Sequence, residues 1–396
     1  MIPSRSEFGR YWALDPGTVY LNHGSFGACP IAVLEEQSRL RALLESDPME
    51  FFFERCPALW QDALAALSDF VDADVAGMTF QVNATAGVNT VLRSLDLRPG
   101  DEVIVSDHAY RACRNAVEHV CTRSGAKVVV VPIPFRVESD DQIVELMLRA
   151  VTDRSRLAMI ETVTSPTGLR MPFERLTREL QARRVDVLVD AAHGVGLVPL
   201  DLNSLGAAYI TGNCHKWLCT PKGSGFLHVR EDRRDRVKPL AISHGYSAEG
   251  DARQRFRQEF DWQGTQDPTP WLCIPKAIDY VGGLMDGGWN GIMARNHGLA
   301  LKARGILRDA LGPGSTAPAP MITAMVTAEI ASGPAVGASP ALKSDPLMRA
   351  LYERHRIQAV VFAWPPHRAR YLRVSAALYN SEAEYRYLAD ALESLL

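Results

Sequence analysis

The chain has 396 residues, enough for one large α/β domain with a smaller companion, and its 47% hydrophobic and 22% charged residues are globular proportions rather than disordered ones. A formal net charge of −3 argues against a nucleic-acid groove, which needs clustered basic surface to neutralise phosphates. The longest apolar run, Val128–Phe135, holds two prolines and falls far short of the roughly 20 residues that span a bilayer, so no membrane partner is expected.

Residues 1–15 read as an N-terminal arm without the apolar stretch of a secretory signal. A large domain is expected over 16–280. Its candidate strands are Met78–Val82, Glu102–Ser106, Lys127–Ile133, Leu157–Val163, Val185–Asp190, Ala208–Thr211 and Gly225–Val229. Helical patterns fall between several of them: Val88, Val91, Leu92 and Leu95 recur at helical spacing, and further stretches run over Gln142–Val151 and Phe173–Ala182. Alternating β and α elements predict a mostly parallel seven-stranded sheet covered on both faces, with ligands bound at the carboxyl ends of its strands. Arg230–Arg236 interleaves arginines with Glu231, Asp232 and Asp235 and reads as a solvated surface turn. From 281 to 396 the texture becomes that of a smaller α+β domain: helix Trp289–Leu311, a loop over Gly312–Pro320, strand-like Met321–Ile330, a second loop of small residues, helix Asp345–Arg354, strands Gln358–Phe362 and Tyr371–Ser375, and helix Ser381–Leu395. Seven cysteines, an odd number without a Cys-x-x-Cys pair, suit reduced thiols in a cytoplasmic protein.

Four strand ends carry candidate chemistry. Asp190 closes a buried strand, with His193 just beyond it; a carboxylate there is costly to desolvate unless a cation meets it. A protonated pyridine nitrogen would serve, and so would a strand-end salt bridge. The next strand leads into Asn213-Cys-His215-Lys216-Trp217, where bulky neighbours would desolvate Lys216 and lower its pKa, as imine formation requires. Asn83-Ala84-Thr85-Ala86-Gly87 turns a strand into a helix whose first amides and Thr85 hydroxyl suit a phosphate; Thr85 as a plain helix cap is compatible with this. After Glu102–Ser106 come His108 and Tyr110, either of which offers a ring to stack on a planar cofactor, or simply starts a helix.

Together these features resemble the fold-type I enzymes that use pyridoxal 5′-phosphate (PLP), within the class V aminotransferase superfamily and its isopenicillin N epimerase-like branch. Further residues that carry the resemblance are Tyr20-Leu-Asn22-His23-Gly24-Ser25-Phe26-Gly27, His215-Lys216-Trp217-Leu218, Trp262-Gln-Gly264-Thr265-Gln-Asp267 and Leu372-Arg373-Val-Ser375. The resemblance implies that Lys216 holds PLP as a Schiff base, that Asp190 partners the pyridine nitrogen, and that His193 lies near the phenolic oxygen. It puts Thr85, Asn213, His215 and the Ala84 amide at the phosphate and Tyr110 on the ring. It gives Arg373 the substrate carboxylate, with Asn22 and His23 over the substrate. Gly264 and Thr265 would reach the phosphate of a neighbouring subunit, implying a homodimer with shared sites.

Other readings are weaker. Gly194-Val-Gly196 lacks the third glycine of a dinucleotide fingerprint, and Cys214, His215 and Cys219 match no zinc spacing, so no metal is expected. A cysteine desulfurase needs a nucleophilic cysteine on a loop of the smaller domain, whereas the last cysteine is Cys273. The expected activity is cleavage of a Cα bond in an amino acid or its conjugate, led by Cα deprotonation towards epimerisation or β-elimination from an S-substituted cysteine, of the kind used in secondary metabolism. Transamination, oxidative decarboxylative deamination with O2, and a PLP-binding domain without turnover are the alternatives.

Overall fold

Residues 2–249, 252–312, 317–330, 345–364 and 369–396 are described by the computed structural model. A short strand, β1 (Val19–Tyr20), precedes the seven strands of the main sheet: β2 (Met78–Gln81), β3 (Glu102–Ser106), β4 (Lys127–Val131), β5 (Ser155–Glu161), β6 (Asp186–Ala191), β7 (Tyr209–Asn213) and β8 (Gly225–Val229). Their order is β2-β8-β7-β6-β5-β3-β4. β8 runs antiparallel to both β2 and β7, and every other pair is parallel.

Parallel neighbours need crossovers, and helices over Ala84–Ser94, Arg111–Ser124, Asp140–Arg149 and Phe173–Ala182 supply them. Both sheet faces are therefore covered, and the strand interiors are continuously apolar: Val187, Leu188 and Val189 are all fully buried. Alternation sorts them. Val187, Val189 and Ala191 join the core that holds Phe173, Leu176 and Trp271, whereas Leu188 joins the core of Val88, Val91 and Val117. Asp190, two residues after Leu188, thus projects to the second face, beneath the helices Ala84–Ser94 and Arg111–Ser124.

The smaller unit follows the break between helices Ile274–Gly282 and Gly288–Leu311. It contains β9 (Met325–Ile330), β10 (Ile357–Gln358), β11 (Val360–Trp364) and β12 (Ala369–Ser375), with β12 pairing antiparallel to both β11 and β9. Ser381 and Glu384 form a capping box on the last helix, Glu382–Leu395. β10 instead pairs parallel with β1, and the Ser6 amide donates to the Tyr379 carbonyl, so the N-terminal segment is built into the smaller unit before crossing to the main sheet.

Most expected elements match to within a few residues, and three points differ. The helix after β2 begins at Ala84 with Asn83 as its cap, because Asn83 Oδ1 accepts from the Ala86 amide at 2.8 Å; Thr85 lies inside the first turn. Arg230–Arg236 is not wholly solvated: most of it forms a short helix at Glu231–Arg236, and Arg234 is buried with its guanidinium on Asp74 at 2.5 Å and on the Val229 carbonyl at 3.0 Å. The strand ending at Ile330 starts at Met325, after a short helical turn at Ala319–Met321. The second small-residue loop, 331–344, and residues 313–316 of the first lie outside the described residues.

Candidate active site

The ends of β6 and β7 lie side by side, with Asp190 opposite Thr211 in register and opposite Glu161 on β5. Asp190 is buried; its Oδ1 accepts from the Ala192 amide at 2.9 Å, and among the described residues its Oδ2 meets only the Cys113 thiol, at 3.4 Å. Burial pushes its carboxyl above the ordinary range, against the pull of the Ala192 amide and of Lys216.

Lys216 sits in a tight turn beyond β7. The Cys219 amide closes the turn on the Lys216 carbonyl at 3.1 Å, and Cys219 takes a φ of +63, unusual for a residue with a side chain. Gly27 and Gly196 allow two other segments to press against this turn. A Cβ on Gly27 would come within 2.2 Å of the His215 carbonyl oxygen, and one on Gly196 within 2.7 Å of the Trp217 backbone, and both glycines have positive φ. Lys216 Nζ lies 3.3 Å from His193 Nε2, and burial brings its pKa down to about 8, opposed by Asp190.

His23 and Arg373 come from the smaller unit's side. His23 is buried, its Nε2 donates to the Lys216 carbonyl at 3.0 Å, and its Nδ1 is met by Tyr379 Oη at 2.9 Å and the Ala28 amide at 3.3 Å. Both ring nitrogens are thus occupied, so His23 anchors the lysine turn instead of reaching over a substrate. Arg373 on β12 is buried; it donates to the Ser165 carbonyl, to Ser25 Oγ at 2.9 Å and to Asn22 Oδ1 at 3.4 Å, while its Nε has no acceptor among the described residues. Asn22 therefore touches the guanidinium. Burial lowers the Arg373 pKa to about 10, and no carboxylate pairs with it among the described residues.

Among the phosphate candidates, the Ala84 amide donates to Asn213 Oδ1 at 2.8 Å, which takes that amide and leaves the Asn213 Nδ2 group as the side chain's donor. The Thr85 amide remains without a protein acceptor among the described residues, and the Thr85 hydroxyl meets the Cys113 thiol of the next helix. His215 Nδ1 is bound to the Ser224 carbonyl at 2.7 Å, which leaves Nε2 outward. Tyr110, at the start of the helix Arg111–Ser124, is 46% exposed and open to a ligand, whereas His108 is buried between Thr167 Oγ1 and the Ile133 carbonyl and is not. Gly264 has a φ of +122 with open space around it, and Thr265 is exposed; both lie beside the apolar cleft of Phe52, Trp60 and Trp262.

Sequence reasoning missed three site residues. Ser25 and Ser165 hold Arg373, and Glu161 stands beside Asp190, buried, accepting from Ser106 at 3.3 Å with its other oxygen unpartnered. Burial and Asp190 raise the Glu161 pKa to about 8. A Glu at the carboxyl end of an otherwise apolar strand was the available signal.

Asp190, Lys216 and Arg373 are buried or half-buried ionisable groups, none paired with an opposite charge within salt-bridge distance among the described residues. Such a set is costly unless a ligand supplies the missing partners. PLP has that chemistry: a pyridine nitrogen for the carboxylate and an aldehyde for the amine, with an amino-acid carboxylate left for the guanidinium. The residues present fit the cofactor.

Comparison with known proteins agrees. Residues 52–333 match the aminotransferase class-V family. The chain is 35% identical over 393 residues to an isopenicillin N epimerase of Streptomyces clavuligerus, covering 96% of each, and 30% identical over 422 residues to a putative L-cysteine desulfhydrase of Oryza sativa subsp. japonica, covering 99% of this chain and 85% of that one. Its fold matches the solved structure of a C-DES mutant with glycine covalently linked to the PLP cofactor, with a TM-score of 0.76 at 20% identity over 95% of this chain and 96% of that one. The chain belongs to the class V aminotransferase family and is a PLP-dependent enzyme of fold type I.

Proposed function

We propose that the enzyme removes the Cα proton of an amino acid with a free α-carboxylate, leading to epimerisation or to β-elimination from an S-substituted cysteine. The observation that carries this reading is the unpaired set of Asp190, Lys216 and Arg373, each facing one part of such a complex. PLP, when bound, supplies an electron sink conjugated with Cα.

The chain's own residues do the rest. Arg373 takes the substrate carboxylate, with Ser25 and Asn22 fixing the guanidinium plane. Lys216, its pKa brought down to about 8 by burial, accepts the Cα proton on Nζ. With PLP bound, Asp190 would hold charge for the pyridine nitrogen, Tyr110 would cover the ring, and Thr85 and His215 would serve the phosphate. The relatives named above include both an epimerase and a cysteine desulfhydrase, which supports these two outcomes. Desulfuration through a protein persulfide is disfavoured: six of the seven cysteines are buried and Cys56 is only half-exposed.

A second copy of the chain would bring Gly264 and Thr265 to its neighbour's phosphate, and the exposed Phe53 and Met49 near the cleft support a homodimer there. Seven free thiols suit the cytoplasm.

The test is turnover in D2O with amino-acid candidates. Deuterium at Cα of recovered, epimerised substrate, or pyruvate with ammonia from a cysteine conjugate, supports the reading. CO2 release with O2 consumption, or stoichiometric amino transfer to a keto acid, refutes it.

A further inference from the structure

We propose that Trp217 is a positioning residue: its indole N–H locks His193 as the Nε2–H tautomer, which removes His193 as a proton acceptor beside Lys216. The proposal rests on the reading of Lys216 as base given above.

The logic starts from what an indole nitrogen can do. Trp217 Nε1 carries a hydrogen and has no lone pair to accept with, so it can only donate. It lies 3.2 Å from His193 Nδ1. His193 Nδ1 must therefore be bare, which rules out the Nδ1–H tautomer and the imidazolium alike, since both carry a hydrogen there. The ring's one hydrogen is left on Nε2, 3.3 Å from Lys216 Nζ. A nitrogen that already bears a hydrogen cannot take another from the lysine, and the other nitrogen is blocked by the indole.

Both rings are enclosed. The imidazole is buried, with one ring nitrogen on the Trp217 indole and the other beside Lys216 Nζ. The indole is buried and packs on His23 with ring centroids 4.8 Å apart. The charged and titratable groups facing His193 are Lys216 from the turn after β7, Arg373 from β12, and His23 from the N-terminal segment. All three are cations or become cations on protonation, so each opposes a charge on His193, in the same direction as burial.

The consequence is that His193 does not compete with Lys216 for the proton. A proton lifted from Cα stays on the Lys216 amine, while His193 contributes an N–H donor and no basic lone pair.

The experiment is long-range 1H–15N NMR of the holoenzyme with 15N-labelled histidine. The expected spectrum shows His193 with Nε2 protonated and Nδ1 bare from about pH 6 to about pH 9. Trp217→Phe removes the indole N–H and is expected to give Nδ1–H or a mixture. It should lower kcat roughly ten- to a hundredfold, the range lost when the outer partner of a functional imidazole is removed, with KM unchanged because Arg373 is untouched. Nδ1–H or imidazolium in the unsubstituted protein overturns the lock, whether or not Trp217→Phe folds; so does an unchanged His193 tautomer in a folded Trp217→Phe. Failure of the base assignment is separate: the lock then survives in the spectrum while Lys216→Ala still traps PLP on borohydride reduction.

Discussion

Glu161 offers a sharp energetic prediction. Its side chain is 2% exposed, opposite Asp190 in the strand ladder, with one oxygen on Ser106 and the other unpartnered. Burial first, then Asp190, raise its pKa from 4.5 to about 8. Below pH 4.5 the carboxyl is protonated in both folded and unfolded chains and pH has no leverage on it. Above that value the unfolded chain releases the proton while the folded one keeps it, so stability falls by about 1.4 kcal/mol per pH unit until the folded group ionises as well. The span from 4.5 to pH 7 corresponds to a loss on the order of 3 kcal/mol.

Glu161→Gln keeps the shape and neutrality of the protonated acid and removes its titration. Urea unfolding of the cofactor-free protein, followed by circular dichroism from about pH 4.5 to about pH 8, should show the two proteins nearly equal at the acid end. The variant should gain steadily and be more stable by about 3 kcal/mol at pH 7. Parallel pH profiles would refute the argument, because they would mean that Glu161 ionises alike in both states.

Lys216→Ala should abolish borohydride-trapped PLP and turnover together; covalent PLP retained in this variant would remove Lys216 from its assigned role. Capture of PLP by the apoprotein should speed up about tenfold per pH unit below pH 8 and level off above it, because only the neutral amine attacks and its pKa is about 8; a flat stopped-flow profile would contradict this. Arg373→Ala should raise KM for the amino acid sharply with PLP still bound, and steady-state kinetics showing an unchanged KM would place the carboxylate elsewhere. His23→Phe leaves the Lys216 carbonyl and Tyr379 hydroxyl without their ring partner and should cost about 2 kcal/mol in chemical denaturation.

The alternation of apolar strands with helical patterns makes the central sheet legible, and strand ends in such a sheet are where ligands bind, so Asp190 and Lys216 stand out in the sequence alone. The helices Ile31–Ser46 and Cys56–Phe70 were not read from the sequence. The first buries only Val33, Gln37 and Leu40, a stripe too thin to register as a period. Asn83 and Thr85 are both good caps, and the choice between them was made by geometry, since Asn83 reaches the Ala86 amide. Arg234 looked solvated within a run of mixed charge because sequence does not show which member turns inward to Asp74.

The deeper divide is between where a group lies and where its hydrogens point. Spacing located His193 and Trp217 near Lys216 without relating them to each other, since 24 positions separate them along the chain. Once the fold brings the indole to Nδ1, the donor-only nature of that one N–H fixes the proton on Nε2, and a histidine that looks like a second base becomes a pure donor. The same step separates His23 from the substrate: with the Ala28 amide on Nδ1, its hydrogen also belongs on Nε2 and is spent on the Lys216 carbonyl. Neither His23 nor His193 thus offers a lone pair to compete with Lys216 for the Cα proton. A site with one base on one face of Cα can release a β-leaving group unaided, whereas epimerisation also needs a donor on the opposite face. Tyr110, half-exposed and with its phenol pKa raised by burial, is the residue whose Phe substitution should separate the two outcomes: epimerisation lost and elimination retained, read from Cα deuterium and pyruvate in the same D2O incubation.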